Sequence, residues 1–149
     1  MIIREADLDI DALAITEGAH KFAKKMALGH LVADDFMVPF SKIATLDGAK
    51  IIVAEHKGNV VGGIGMYIAP YIWNNSLFVA DELFWWVDEG APFRTAKLLF
   101  DEAMKEADKK NAIPMFKALQ DSPDGVDKIY RKHNMKPIET VYTRASLWQ

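Results

Sequence analysis

The stretch from Val79 to Asn111 constrains this chain most, because its hydrophobic period changes once, in the middle. Val79 to Val87 is rich in aromatic and β-branched residues. Both alternating faces carry bulk: Leu83, Trp85 and Val87 on one, Phe84 and Trp86 on the other. A strand apolar on both faces belongs in the middle of a sheet, covered on both sides. Beyond it, Ala96, Leu99, Phe100, Ala103, Met104 and Ala107 recur at i, i+3, i+4 and i+7, on one face of a helix. Asp101, Glu102, Lys105, Glu106, Lys109 and Lys110 fall largely outside that stripe. The chain therefore passes from a buried strand, through Gly90 and Pro92, into a helix packed back on the sheet. Such a helix start presents unpaired backbone N–H groups and a positive dipole end. With Arg94 beside them, the setting suits an anion such as a pyrophosphate.

The remaining elements follow from local signals. Ile2 to Ala6 reads as a first strand, and Asp9 or Asp11 as the cap of a helix with Ala12, Ile15, Ala19, Phe22, Ala23 and Met26 inward. Gly29 ends it. A shorter helix is expected between Phe36 and Leu46, limited by Pro39, with Phe36, Phe40, Ile43 and Ala44 inward. After the Asp47-Gly48 turn, strands Ile51–Glu55 and Val60–Ile68 flank a hairpin connection, His56-Lys57-Gly58-Asn59. Gly62, Gly63 and Gly65 inside the second strand mark a bulge or a close approach of backbone or ligand. Ala69 to Ser76 reads as a loop bearing Tyr71 and Trp73.

Pro114 to Gln120 reads as a further strand, and Ser122-Pro123-Asp124 as the start of a helix. Val126, Ile129, Tyr130 and His133 share that helix's inner face. Asn134 ends it in a left-handed conformation, and Ile138 to Leu147 closes the sheet. The order is β-α-α-β-β-β-α-β-α-β in one domain, residues 1–149. A hairpin run followed by an alternating run implies an α/β (α+β) fold. Its sheet is mixed, mostly antiparallel and of about six strands, with helices on both faces.

Composition then excludes function classes. Without cysteine there are no disulfides, thiolate metal sites or cysteine nucleophiles. With 18 basic against 21 acidic residues, non-specific nucleic-acid binding is not the expected task. No apolar run approaches the ~20 residues that span a bilayer, and the first residues lack a signal-peptide pattern, so a cytoplasmic protein is expected. His20, His30, His56 and His133 are scattered without metal-ligand spacing, so no metal site is expected. The serines sit in no nucleophile elbow, and Gly62-Gly63-x-Gly65 lies within a strand, unlike a dinucleotide fingerprint.

Three stretches resemble the GNAT acetyltransferase superfamily. Glu82-Leu83-Phe84-Trp85-Trp86-Val87 is similar to that family's fourth strand. Pro92-Phe93-Arg94 leading into Leu98-Leu99 is similar to its acyl-CoA pyrophosphate loop. Ile129-Tyr130-Arg131-Lys132-His133-Asn134-Met135 is similar to its tyrosine-bearing stretch. Trp85-Trp86 and the late Glu139-Thr140-Val141-Tyr142 look most like acetyltransferase-like proteins of bacteriophages.

The resemblance implies acetyl-CoA as acyl donor, held by Trp86, Val87, Phe93, Arg94, Thr95, Ala96 and Lys97. It further implies attack by a primary amine in a ternary complex, with Glu82 as general base and Tyr130 as the acid that reprotonates the leaving thiolate. The implied partner is a small-molecule or protein amine, with no nucleic acid and no membrane; a homodimer is also allowed. A cleft near Asp34, Asp35 and Asp81 would favour a cationic amine, although all three also suit plain surface acids. In this family the strand Val79–Val87 and the next one diverge, and the splay admits the pantetheine arm.

The residues themselves leave alternatives open. Arg94 and Lys97 also suit a solvated helix start. Tyr130 also suits packing against Val126 and Ile129, and Glu82 a structural carboxylate. The family's Arg/Gln-x-x-Gly-x-Gly/Ala loop is not matched, since Thr95, Ala96, Lys97, Leu98 and Leu99 follow Arg94. Glycine there lets backbone N–H groups approach phosphates. Its loss motivates a second reading, a GNAT-like fold without turnover that serves as a protein-interaction or acyl-CoA-binding module.

Overall fold

The structure is a computed structural model that describes residues 1–26, 29–33, 35, 37–119, 122–123 and 125–142. Five strands lie in chain order in one sheet: β1 Ile2–Glu5, β2 Ala49–His56, β3 Asn59–Tyr71, β4 Asn74–Val87 and β5 Ala112–Met115. The first four pair antiparallel and β5 joins β4 in parallel, so the sheet is mixed and mostly antiparallel, as expected. Helices α1 (Leu8–Lys25) and α2 (Met37–Ala44) precede β2, α3 (Thr95–Lys109) crosses from β4 to β5, and α4 (Gly125–Lys132) follows.

The period change at Val87 does organise the fold. On one face Ile52, Ala54, Ile64, Met66 and Ala80 bury against Leu99, Ala103 and Ala107 of α3. On the other, Ile51, Val53, Phe84 and Trp86 bury against Ile15 and Ala19 of α1 and Phe40 of α2. Thus β4 is covered on both sides, at ~25 cal/mol per Å² of apolar surface removed from water.

Its alternation is nevertheless broken. Met66 pairs with Glu82 and Gly65 with Phe84, which leaves Leu83 as an extra residue in a β-bulge. Leu83 consequently packs in the α1-side cluster with Phe84 and Trp86, not with Trp85 as strict alternation requires. Glu82 shares the α3-side face with its cross-strand neighbour Met66, and Trp85 stacks on Phe100 of α3 at 5.7 Å.

Other boundaries move for local reasons. Asp7, not Asp9 or Asp11, caps α1: its carboxylate accepts the Asp9 N–H at 3.0 Å. Asp11 is buried and takes both terminal nitrogens of Arg4, at 2.6 and 3.0 Å, while Arg4 also reaches Glu55. The Arg4 guanidinium holds the Asp11 carboxyl below its usual range and ties β1, α1 and β2 together. Ala12, Met26 and Ile43 are exposed rather than inward, and Phe36 lies outside the described residues.

The expected loop at Ala69–Ser76 is instead the end of a long hairpin. Tyr71 pairs with Asn74 across Ile72 and Trp73, and Asn74 bonds the Ser76 N–H and hydroxyl. The hairpin at Lys57-Gly58 forms as expected, with both residues at positive φ. So does the left-handed Asn134, at φ 59°. Helix α4 begins at Gly125, later than Ser122, whose hydroxyl accepts the Leu119 N–H instead. Residues 138–142 form no strand, and the rest of the expected closing strand lies outside the described residues.

Candidate active site

The cleft begins where β5 leaves β4. Their pairing runs only from Phe78↔Ala112 to Asp81↔Met115, whereas β4 continues to Val87. The fifth strand is thus shorter than the expected Pro114–Gln120, and there is a reason. Phe116 turns into an aromatic cluster, 5.0 Å edge-on to Phe100. Lys117 then delivers its N–H not to the sheet ladder but to the Glu82 carboxylate, at 3.0 Å. The two strands start side by side and diverge, as the resemblance implies.

The space so opened is a cleft of about 300 Å³. Glu82, Trp85, Trp86 and Val87 of β4 form its floor. One wall is α1, through Lys21, Phe22 and Lys25; the other is Leu119, Pro123 and the Val126–Ile129 side of α4. Ala96, in the first turn of α3, closes one end.

Glu82 is 2% exposed, and burial raises its carboxyl to about 7, against the Lys117 N–H, the Lys117 charge and the Tyr130 hydroxyl, which lower it. Lys117 is the residue that sequence reasoning missed. Its N–H binds Glu82, its carbonyl accepts the Tyr130 hydroxyl at 2.8 Å, and its ammonium reaches Asp81 at 2.7 Å and the Glu82 carbonyl. No period or motif marks it, because its role arises only from the divergence of two strands distant in sequence.

Tyr130 is buried among Trp85, Phe100 and Phe116, with its hydroxyl 3.3 Å from Glu82. Burial and then the Glu82 charge push its phenol above the ordinary range. Packing and contact with Glu82 are therefore both real, and the two residues assigned to proton transfer do meet.

The residues that the resemblance assigns to the cofactor gather less fully. Trp86, Val87 and Ala96 line the cleft, though Trp86 is mainly a core residue. Thr95 is fully buried, with its N–H and its hydroxyl both donated to the Pro92 carbonyl, and it has nothing left to offer a ligand. Phe93 is entirely exposed. Lys97 points outward to an ion pair with Asp101. Arg94 is exposed at the N-cap of α3 without a side-chain capping bond. Leu98 donates to Arg94, so among the described residues the N–H groups of Ala96 and Lys97 have no backbone acceptor. The turn thus offers two N–H groups at a positive helix end.

No helix among the described residues is long and apolar enough to cross a membrane, and no group of side chains among them suits a metal ion. No protein-family model and no curated protein matches the chain in sequence. Solved structures do match in fold. A possible acetyltransferase from Clostridium difficile 630 superposes with TM-score 0.72 at 22% identity, over 96% of this chain and 95% of that one. The ribosomal-protein-alanine N-acetyltransferase of Brucella melitensis biovar Abortus 2308 gives 0.71 at 18%, over 96% of each chain. A predicted acetyltransferase from Clostridium acetobutylicum, solved with acetyl-CoA, gives 0.71 at 13%, over 99% and 97%. At these identities the likeness is one of fold: over nearly its whole length, this chain has the fold of GNAT acetyltransferases.

Proposed function

We propose that the protein transfers an acetyl group from acetyl-CoA to a primary amine. The observation that carries this reading is Glu82, an uncommonly basic carboxylate on the floor of a cleft made by strand divergence. Such a group at neutral pH is suited to accept a proton from an attacking amine. The pantetheine arm enters the splay, and the pyrophosphate meets the Ala96 and Lys97 N–H groups with Arg94 beside them. The thioester carbonyl is polarised by a backbone N–H of the unpaired end of β4. The amine attacks this carbonyl directly, loses its proton to Glu82, and the C–S bond breaks to release the CoA thiolate. Holding both reactants in one cleft supplies much of the acceleration.

In this reading Tyr130 positions Glu82 rather than acting as the acid. Its hydroxyl proton is shared between the Lys117 carbonyl at 2.8 Å and the Glu82 carboxylate at 3.3 Å, and its raised pKa makes that proton harder to give to a thiolate. The reading has a distinctive consequence. The Tyr130 hydrogen bond lowers the Glu82 pKa, so Tyr130→Phe should move the midpoint of the pH–rate profile upward and largely restore turnover at alkaline pH. A loss that persists at every pH would return Tyr130 to the role of acid. The bacteriophage-type subgroup rests on the Trp85-Trp86 and Glu139–Tyr142 texture alone.

Calorimetry with acetyl-CoA tests the donor directly. Arg94→Ala should weaken binding by ~1–3 kcal/mol with the fold retained, and by less at high salt, because Arg94 is exposed. No binding by the unaltered chain at millimolar acetyl-CoA would leave the fold as an interaction module without turnover. The absence of glycine after Arg94 is the feature that favours that second reading.

A further inference from the structure

The charges of the cleft do not suit the cationic acceptor that the acidic residues of the sequence suggest. Asp81 is paired with Lys117 at 2.7 Å, Asp35 does not line the cleft, and Asp34 lies outside the described residues. The charged lining is instead Lys21, Lys25 and Lys117 against Glu82 and Asp88. Lys117 is neutralised by Asp81, and Lys21 by Asp88 at 2.9 Å. Lys25, one turn beyond Lys21 on the same face of α1, makes no ion pair or side-chain hydrogen bond to a described residue. After these pairs cancel, the α1 wall keeps one positive charge, and the acid opposite it is the Glu82 that handles the amine proton.

Resting on the acyltransferase reading, we propose that the acceptor is an amine bearing an anionic group, and that Lys25, supported by Lys21, recognises that group. Such a molecule presents its nitrogen to Glu82 on the floor and its anion to α1 on the wall. A second cationic group in its place would face Lys21 and Lys25 and be repelled. The phosphates of the donor have a separate receptor at the start of α3, so the α1 lysines are left for the acceptor.

The test uses the full chain, acetyl-CoA and matched amines: β-alanine against its amide, O-phosphoethanolamine against ethanolamine, and putrescine as a cationic control. Rates are read as released CoA thiol. The intrinsic nucleophilicities within a pair differ, but that difference cancels when the acid-to-neutral ratio of kcat/KM is compared between proteins. The ratio is expected to fall about tenfold in Lys25→Met, as for loss of one partly exposed charged contact, and to survive in Lys25→Arg. The affinity for acetyl-CoA should stay the same in both variants. An unchanged ratio in Lys25→Met overturns the proposal, as does turnover confined to neutral or cationic amines, or none with any acidic amine while acetyl-CoA binds. A loss of acetyl-CoA affinity without a change in ratio also overturns it, by assigning the lysines to the donor. Failure of acetyl-CoA to bind at all is a failure of the acyltransferase reading, and it is seen before any amine is added.

Discussion

Glu82→Gln is expected to lower turnover by ~10²–10⁴-fold, the usual worth of a positioned general base, with acetyl-CoA affinity retained. The pH profile should change with it. In the unaltered protein the rate should rise as the carboxyl loses its proton, with a midpoint near the raised value of about 7, and then level off. The glutamine variant should show no such rise.

Stability should move the opposite way. Because the folded-state value lies above the ordinary 4.5, the folded chain still holds this proton where the unfolded chain has lost it. Stability from this group is therefore complete below about 4.5 and declines as pH rises through about 7. Burying the charged carboxylate costs about 3 kcal/mol at alkaline pH on that basis, an order-of-magnitude figure. A neutral glutamine can still accept the Lys117 N–H, so Glu82→Gln should be more stable than the unaltered chain at pH 8, by ~1–3 kcal/mol, and close to it at pH 5. Urea denaturation at both pH values, set beside the rates, checks this. A variant that lost stability at pH 8 would make Glu82 a structural carboxylate and remove it from the mechanism.

Gly18→Ala should be strongly destabilising, although helix propensity alone says the reverse. Gly18 lies inside α1, where alanine is favoured by ~1 kcal/mol over glycine. A Cβ there would stand 1.9 Å from Cε2 and 2.3 Å from Cδ2 of Trp86, closer than any non-bonded contact allows. The indole cannot retreat, because its far edge is pressed on Gly63, where a Cβ would stand 2.4 Å from Cη2 and Cζ3. Phe84 packs beside it at 5.6 Å. The ring is held between two glycines, one on α1 and one on β3, so the added methyl must push the helix off the sheet. Overpacking of this kind costs ~1–3 kcal/mol or more, which outweighs the propensity gain. We expect a net loss of ~2–3 kcal/mol in thermal or urea unfolding. Trp86→Phe in the same chain should recover part of it by vacating the contact. A Gly18→Ala protein as stable as the parent would mean that the indole is not seated there. Because Trp86 also lines the cleft, the variant should bind acetyl-CoA less tightly even where it stays folded.

What the amino-acid order determined by itself is what depends on neighbours along the chain. The change from an apolar strand to a 3.6-residue stripe between Val87 and Ala96 is such a property, as are the turn at Lys57-Gly58 and the left-handed Asn134. The glycines of β3 also announced a bulge or a close approach of backbone: the bulge follows Gly65 and the Trp86 carbonyl lies against Gly62, whereas at Gly63 and Gly65 it is the side chains of Trp86 and Phe84 that enter. What only the tertiary structure decided depends on partners far off in sequence. The bulge at Leu83 exists because β3 and β4 pair on both sides of one extra residue, and it moves Leu83 to the α1 face while Glu82 and Trp85 share the other. Asp7 became the cap once Asp11 was drawn to Arg4, which also reaches Glu55. The basicity of Glu82 comes from the burial that the sheet and its helices impose and from Lys117, 35 residues away. Of the acids named for the acceptor site, Asp81 is paired with Lys117 and Asp35 does not line the cleft, while two lysines of α1 do. Local period is set by backbone geometry over a few residues. Burial, charge and pKa are set by whatever the completed fold brings within a few ångströms.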